Sequence, residues 1–171
     1  MVIWLLGISG SGKSTLGKGL KKCFDKLNKH CYLIDGDDIR GFYDNDLGYS
    51  RKDRTENIKR IILAAYVLDQ NGIIAIVCNI SPFEKLRNFA RKKIKGYIQV
   101  YLKKDISISQ KHDVKKIYKR HKGKTPLVGI DLKFDKPRNN DLVIDIDNES
   151  ERQSLQKIID FLRHKSPKTF S

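Results

Sequence analysis

The stretch GISGSGKST, residues 7–15, is the part of the chain that decides its fold. It follows the apolar run VIWLL, residues 2–6, and has the spacing Gly-x4-Gly-Lys-Ser between Gly7 and Ser14. Loops with this spacing turn successive backbone N–H groups inward around the phosphates of a nucleoside triphosphate. A flexible turn built from Gly and Ser is the simpler alternative.

The flanking sequence favours the phosphate loop over the simple turn. Residues 2–6 are typical of a buried strand, and apolar residues recur at helical spacing after the loop, so that the N-terminus of a helix would face the phosphates. The helical positions are Leu16, Leu20, Cys23, Phe24 and Leu27. In such a loop the lysine holds the β- and γ-phosphates of ATP and the hydroxyl after it binds Mg²⁺. The predicted ATP-binding residues are Gly7, Ser9, Gly10, Ser11, Gly12, Lys13, Ser14 and Thr15, with Ser14 as the metal ligand and Lys13 also catalytic.

The length and composition narrow the class of protein. A chain of 171 residues is expected to form one domain, residues 1–171. The start MVIWLLGIS has no basic leader and too few apolar residues for a membrane span, so we expect neither a signal peptide nor a membrane segment. Three cysteines without paired spacing favour a reducing, cytoplasmic location. Cys23 and Cys78 fall on apolar patterns and are expected in the core, and the four histidines have no metal-ligand spacing.

The net charge of +15 is concentrated in residues 85–124. This basic window holds fifteen Lys and Arg but only two acids, Asp105 and Asp113. This basic window has three possible interpretations: a solvated surface, a field that attracts small anionic substrates, or a nucleic-acid patch. Phe89, Tyr97 and Tyr101 suit core positions better than an exposed stacking surface, so we do not expect nucleic acid as a partner.

Apolar runs alternate with helical patterns along the chain, which predicts an α/β fold of three layers, with a five-stranded parallel sheet and helices on both faces. The predicted strands are residues 2–6, 31–35, 73–78, 97–102 and 142–146. One predicted helix begins near Asp53, in DRTE, and carries Ile58, Ile61, Ile62, Ala65 and Leu68 on one face. Another begins after Pro82. The last follows Ser150, in the capping box SERQ, and buries Leu155, Ile158, Ile159 and Leu162.

The segment 111–140 interrupts this alternation. It is rich in cations, contains two Pro and two Gly, and has little periodicity. We expect a cationic lid at about residues 112–130, which would exclude water and neutralise phosphate charge on closure. The last residues, about 165–171, are expected to be frayed.

The stretch YLIDGDDIR, residues 32–40, supplies a second set of polar residues. Ligand sites of parallel sheets lie at the carboxyl ends of the strands. Asp35 ends a predicted strand and should point toward the phosphate loop, where a carboxylate acts through Mg²⁺ or accepts the proton of an attacking hydroxyl. Asp38 is better explained as a helix cap in a solvated turn.

Five motifs occur in an order and spacing that resemble the adenylylsulfate kinase family. They are GISGSGKST, IDGDDIR, DLGYSRKDRTENIKR, ISPF with a later AR, and GID…P…DLVID, and the resemblance covers residues 2 to about 147. The resemblance implies a P-loop kinase, a phosphotransferase with an alcohol acceptor. Such kinases transfer the γ-phosphate of MgATP to the ribose 3′-hydroxyl of adenosine 5′-phosphosulfate (adenylylsulfate, APS), a step of sulfate assimilation. A homodimer is left open.

The resemblance also implies roles for individual residues. Asp35 is similar to the family's catalytic base, and Tyr49 stands where a base-stacking Phe is usual. The implied acceptor-binding residues are Arg40, Tyr49, Arg54, Asn57, Ile80, Ser81, Pro82 and Leu127. Each also has a structural alternative: Arg54 and Asn57 as ordinary first-turn helix residues, and Tyr49 as a core aromatic.

The departures from the family pattern lie in and beside the predicted lid. Residues 112–118 read HDVKKIY instead of RDPKGLY, and residues 125–131 read TPLVGID instead of KGFTGID. Leu127 therefore replaces a second stacking Phe, and Thr125 replaces a lysine. Losing one aromatic stack of about 1–3 kcal/mol can change which nucleobase is preferred. The alternative acceptor is cytidine diphosphoramidate, used by related kinases of capsule modification. A nucleic-acid-binding P-loop protein is the weaker alternative.

Overall fold

The computed structural model describes residues 1–105 and 126–170. Residues 112–125 of the predicted lid, which include His112, Tyr118 and Thr125, lie outside this range. The part that can be compared with the prediction is therefore residues 126–130, at the end of the lid.

The described residues contain one parallel sheet of five strands, in the order β2-β3-β1-β4-β5. The predicted α/β fold is confirmed, and each strand agrees with its prediction to within one residue at either end. The strands are β1 (Val2–Leu6), β2 (Cys31–Asp35), β3 (Ile74–Cys78), β4 (Tyr97–Lys103) and β5 (Leu142–Asp145). The central strands β1 and β3 are buried along their whole length, as near-continuous apolar runs covered on both faces should be.

Helices cover both faces of the sheet. In the described part they are α1 (Lys13–Lys26), α2 (Gly36–Phe42), α3 (Arg51–Gln70), α4 (Glu84–Lys93) and α5 (Glu151–Lys165). Side chains of α1 and α5, including Leu20, Phe24 and Ile158, form one core with the sheet. Side chains of α3 and α4, including Ile61, Ile62 and Ala90, form the other. Cys78 is buried and Cys23 partly buried in the first core, as predicted.

Three sequence predictions about helix ends and core positions are wrong. Helix α3 begins at Arg51, because Ser50 and not Asp53 is its N-cap: the Ser50 hydroxyl accepts from the Asp53 N–H, and the Asp53 carboxylate accepts from Ser50 in return. Phe89 is 44% exposed on α4 and is not a core residue. Leu27 follows the end of α1 and is also exposed.

The chain end also differs from the frayed tail expected over residues 165–171. Lys165 closes α5, and Pro167–Thr169 form a 3₁₀ helix. The Phe170 ring then packs 5.4 Å from the Phe24 ring, measured between centroids. This apolar contact holds the tail against the core as far as Phe170; Ser171 is outside the described residues.

No helix in residues 1–105 or 126–170 is both long and apolar enough to cross a membrane. Within the same residues, no three or more His, Cys, Asp or Glu side chains are grouped so that they could hold a metal ion.

Candidate active site

The phosphate loop connects β1 to α1 at the carboxyl edge of the sheet. Gly12 precedes α1 with φ 82°, a left-handed conformation that favours glycine. Gly7 is held by close approach, since a Cβ there would lie 2.6 Å from the backbone oxygen of Leu102 at the end of β4. The backbone of the loop therefore lies against the sheet edge, and the N-terminus of α1 faces the concave side of the loop.

The Lys13 side chain crosses the loop. Its Nζ donates to the carbonyl oxygens of Gly7 at 3.0 Å and Ile8 at 2.8 Å. The ammonium group thus lies inside the concave loop. There the phosphate oxygens of a nucleotide would accept its hydrogen bonds, in place of these carbonyl oxygens or together with them. Of the other predicted ATP-binding residues, Ser11 is buried and Ser9 is half-buried, whereas Gly10 and Thr15 are exposed.

Asp35 lies directly beside the phosphate loop. Its Oδ2 accepts a hydrogen bond from Ser14 Oγ at 2.6 Å, and its Oδ1 accepts from the Asp37 N–H at 3.1 Å. Asp35 is therefore the N-cap of α2 as well as the end of β2. The expected capping role of Asp38 is wrong, although Asp38 does lie exposed in the first turn of that helix.

The pair Ser14 and Asp35 has the chemistry of a Mg²⁺ site. Magnesium in phosphoryl-transfer sites takes hydroxyl and carboxylate oxygens together with substrate phosphates. The hydroxyl and the carboxylate are adjacent at the mouth of the loop, so these residues fit the metal that the sequence predicted.

Arg40, Tyr49 and Arg54 form a cluster, which we call the arginine cluster. The guanidinium carbons of Arg40 and Arg54 lie 4.6 and 5.2 Å from the centroid of the Tyr49 ring. Tyr49 is 41% exposed, so it is not a core aromatic, and two cations share its ring. The ring can therefore offer a nucleobase only the area that the guanidinium groups leave free.

Both guanidinium groups of the arginine cluster are hydrogen-bonded to neutral carbonyls. Arg40 Nη1 donates to the Leu47 and Gly48 carbonyls, and Arg54 donates to those of Tyr49 and Pro126. Neither forms an ion pair with another described residue. Burial, and then the charge of Arg40, lower the pKa of Arg54. Two neighbouring cations whose hydrogen bonds to the described residues go to carbonyl oxygens are arranged to receive an anion.

The remaining predicted acceptor residues are Asn57, Ile80, Ser81 and Pro82, and all but Ile80 are buried. Asn57 is 2% exposed; its Nδ2 donates to the Gly36 carbonyl, and its buried Oδ1 has no hydrogen-bond partner among the described residues. Ser81 is buried with φ 47°, and its hydroxyl accepts from Trp4 Nε1 and donates to Asn79 Oδ1. Ile80 is half-buried and Pro82 buried. The Ser81 side chain thus maintains the shape of this turn.

Leu127 is half-buried next to the arginine cluster. Its N–H is bonded to Asp131 Oδ2 at 2.7 Å, and Arg54 Nη2 donates to the carbonyl of the preceding residue, Pro126, at 2.7 Å. Residues 127–132 close on themselves, with the Leu132 N–H bonded to the Leu127 carbonyl. The structure therefore brings Leu127 toward Arg54 through the bond from Arg54 to Pro126, two residues 72 positions apart in the sequence.

Sequence analysis missed one residue of this region. Arg87 on α4 is 4% exposed and donates to the carbonyls of Ser81 and Asp135, each at 2.7 Å. Within the basic window it was one of fifteen cations and carried no separate signal. Its position at i+4 from Phe83, on the same face as buried Ala90, could have indicated an inward-facing charge.

The fold and the site together define a P-loop kinase. A parallel sheet leads through a phosphate loop into a helix, and a carboxylate from a neighbouring strand end lies at the mouth of that loop. Shikimate kinase from Aquifex aeolicus shares the fold at 15% identity, with a TM-score of 0.57 over 98% of this chain and 99% of that one.

The family model of adenylylsulphate kinase matches residues 1–145, and the chain belongs to this family. Adenylyl-sulfate kinase of Clostridium acetobutylicum is 38% identical over 165 residues, which are 95% of this chain and 82% of that protein. The Pseudomonas aeruginosa enzyme is 38% identical over 170 residues, 97% and 87% of the two chains.

A solved structure, that of the APS kinase of Mycobacterium tuberculosis in complex with AMPPNP and APS, is 30% identical. It superimposes with a TM-score of 0.87 over 95% of this chain and 96% of that one. Membership of this family makes the chain a kinase, a phosphotransferase with an alcohol group as acceptor.

Proposed function

We propose that this chain transfers the γ-phosphate of MgATP to the ribose 3′-hydroxyl of APS, giving 3′-phosphoadenylylsulfate and ADP. The observation that carries the proposal is the contact of Asp35 Oδ2 with Ser14 Oγ at 2.6 Å. It puts a candidate base next to the loop that holds the donor phosphates. The similarity to an APS kinase solved with AMPPNP and APS supports the choice of substrates.

The residues have separate tasks in this reaction. The acceptor's 3′-oxygen attacks the γ-phosphorus, the bond from that phosphorus to the β,γ-bridging oxygen breaks, and ADP leaves. Asp35 accepts the proton of the 3′-hydroxyl, while Lys13 and the backbone N–H groups of the loop stabilise charge on the phosphates. Bound at Ser14 and Asp35, Mg²⁺ would supply charge neutralisation at the β- and γ-phosphate oxygens.

The arginine cluster is suited to the anionic 5′-substituent of the acceptor. A planar guanidinium can hold two oxygens of a sulfate or phosphate at once. Arg40 and Arg54 are already oriented by the Tyr49 ring and by backbone carbonyls, so little side-chain freedom is lost when the anion binds. We therefore propose that this cluster places the 3′-hydroxyl near Asp35.

The composition of the base pocket is the reason to consider a second candidate acceptor besides APS, cytidine diphosphoramidate. Leu127 gives dispersion contact where an aromatic ring would stack, and the Tyr49 ring is shared with two guanidinium groups. A pocket with weaker stacking discriminates less strongly for a purine. The chemistry at Asp35 and the phosphate loop is the same for both acceptors.

The deciding experiment offers APS and cytidine diphosphoramidate separately, each with MgATP, and compares kcat/KM. Our proposal expects APS to be preferred by at least about tenfold, a difference of only ~1.4 kcal/mol in transition-state binding. Preference for the cytidine compound would assign the chain to the second candidate, and Leu127→Phe should then recover part of the APS activity. If neither compound is phosphorylated, the proposed roles of Arg40, Tyr49 and Arg54 fail.

A further inference from the structure

Four hydrogen bonds hold together Arg87, the turn at residues 81–84 and Asp135. Arg87 Nη1 donates to the Ser81 carbonyl and Nη2 to the Asp135 carbonyl, each at 2.7 Å. The Asp135 N–H donates to the Pro82 carbonyl at 2.9 Å, and the Glu84 N–H donates to Asp135 Oδ2 at 3.2 Å. We call this set of bonds the Arg87 clamp.

We propose that Arg87 is a positioning residue that sets the distance between two walls of the acceptor pocket. One wall is the turn at residues 80–82, and the other is Leu127. This inference rests on the proposed function for its consequence, although the clamp itself can be tested without any substrate.

The link from the clamp to Leu127 is short and well supported. Residues 127–132 close on themselves through the bonds of Leu132 N–H to the Leu127 carbonyl and of Gly129 N–H to the Leu132 carbonyl. Val128 is 6% exposed, which anchors this closed loop in the interior. Asp135 follows after only two intervening residues, so a displacement of Asp135 moves Leu127 with it.

The turn on the other side of the clamp is held in a costly conformation. Ser81 has φ 47°, a backbone conformation that residues other than glycine rarely adopt. Its hydroxyl is hydrogen-bonded to Trp4 Nε1 at 2.8 Å and to Asn79 Oδ1 at 2.9 Å. Such a turn keeps its shape only if the surrounding bonds determine it. Arg87 supplies the bond to the Ser81 carbonyl and, with its other nitrogen, ties the opposite wall to it.

The charge of Arg87 is not needed for an ion pair. Burial lowers its pKa, and both of its hydrogen bonds go to neutral carbonyls. What the guanidinium provides is a rigid fork that reaches two carbonyls at once, which a lysine ammonium on a flexible stem reproduces poorly. The clamp therefore depends on the shape of the side chain, and Arg87→Lys should not restore it.

The test compares Arg87→Met with Arg91→Met. Arg91 is the matched control, because it lies one turn later on α4 and ties the helix to Asn139 and Asp141, outside the pocket. Hydrogen–deuterium exchange of the substrate-free proteins should be at least about tenfold faster over residues 126–136 in Arg87→Met and unchanged there in Arg91→Met. Arg87→Lys serves if Arg87→Met does not fold, and should exchange faster than wild type.

The kinetic arm tests the consequence for the acceptor. In Arg87→Met the KM of whichever acceptor the wild type uses should rise by about tenfold or more, with the KM of ATP changed by less than about twofold. Unchanged exchange over residues 126–136, equal acceleration in both variants, or an equal rise in the KM of both substrates would overturn the inference. A wild type that phosphorylates neither compound would refute the proposed function, and the exchange data would still decide whether the clamp exists.

Discussion

Asp35 has three structural roles because a strand end and a helix start coincide there. It is the last residue of β2, it caps α2 through the Asp37 N–H, and it accepts from Ser14 Oγ. Asparagine is as good an N-cap as aspartate. The carboxylate charge can therefore be removed without losing the cap.

This gives the first prediction, for Asp35→Asn. Its kcat should fall by roughly 10²–10⁴-fold, the range for loss of a general base, while the melting temperature and ATP binding stay close to wild type. Steady-state kinetics, nucleotide titration and thermal melting measure these quantities. Asp38→Asn is the control, since Asp38 is exposed in the first turn of α2, three residues after Asp35. Wild-type turnover in Asp35→Asn would mean that another group takes the proton.

The sequence predicted single residues well where their position follows from local pattern. The phosphate loop and Asp35 are of this kind, since each follows directly after a strand. The arginine cluster is not, because its members come from α2, α3 and the segment between them. Asp44 and Asn45 have positive φ there, and the chain folds back so that Arg40 reaches the Leu47 and Gly48 carbonyls. A resemblance placed Tyr49 in the pocket, but only the fold shows that two guanidinium groups share its ring.

At the scale of elements, α1 approaches the sheet closely through Gly17. A Cβ at this position would overlap Cys78 Sγ and lie 2.9 Å from Leu33 Cδ1. Both neighbours belong to strands, and Cys78 is buried with its short side chain unable to move aside. Gly19, on another side of the same helix, would instead meet the far end of the half-buried Leu155 side chain.

The second prediction compares Gly17→Ala with Gly19→Ala. Alanine in a helix interior is favoured over glycine by roughly 0.5–1 kcal/mol, a gain common to both variants. At Gly17 the overlap should outweigh this gain and lower the free energy of unfolding by about 1–3 kcal/mol. Gly19→Ala should be neutral or stabilising, because Leu155 can rotate. Urea unfolding measures both, and equal effects would show that α1 can move away from the sheet at no cost.

Element boundaries were predicted closely for strands and less well for helices. A buried parallel strand is a short apolar run, so its ends are visible in the sequence. The sequence prediction took Asp53 as the cap of helix α3, whereas the N-cap is Ser50, three residues earlier and an equally suitable residue type. The structure uses both in one capping box, with Asp53 inside the first turn. Caps alone could not identify the first residue of this helix.

At the scale of the whole molecule, the charge count overstates the basic surface. The net charge is +15, and residues 85–124 alone contribute +13. Yet Arg87 points into the clamp, and Arg91 is bonded to Asp141 and the Asn139 carbonyl. A cation bonded to backbone carbonyls or a carboxylate leaves no trace in composition, and the sequence could not separate buried Arg87 and partly buried Arg91 from solvated cations.

Asp141 joins three elements around one carboxylate. Its Oδ2 accepts from Arg91 of α4 at 2.7 Å and from the Gln99 N–H of β4 at 2.9 Å, and its Oδ1 accepts from Lys165 of α5 at 3.2 Å. Burial alone would raise the pKa of Asp141, but the hydrogen bonds from Arg91 and Gln99 outweigh it and hold that pKa below its usual value. The ionised form therefore stabilises the folded chain.

The third prediction concerns the pH dependence of stability in Asp141→Asn. Because the folded pKa of Asp141 is lowered, its contribution is complete above the unfolded pKa of about 3.9 and is lost as pH falls through the folded pKa. At pH 7 the variant should be less stable by about 1–3 kcal/mol, the range for hydrogen bonds to a charged group.

The difference between wild type and Asp141→Asn should then shrink as the pH is lowered into the range where Asp141 takes up its proton. Urea unfolding at a series of pH values measures it. Asp160→Asn is the control, because Asp160 is 55% exposed on α5, where its Oδ1 accepts from Gln156 Nε2 at 2.9 Å and lies 3.6 Å from Arg163 Nη1. That variant should differ little from wild type at any pH. A difference for Asp141→Asn that stays constant on acidification would show that the shape of the side chain, and not its charge, joins α4, β4 and α5.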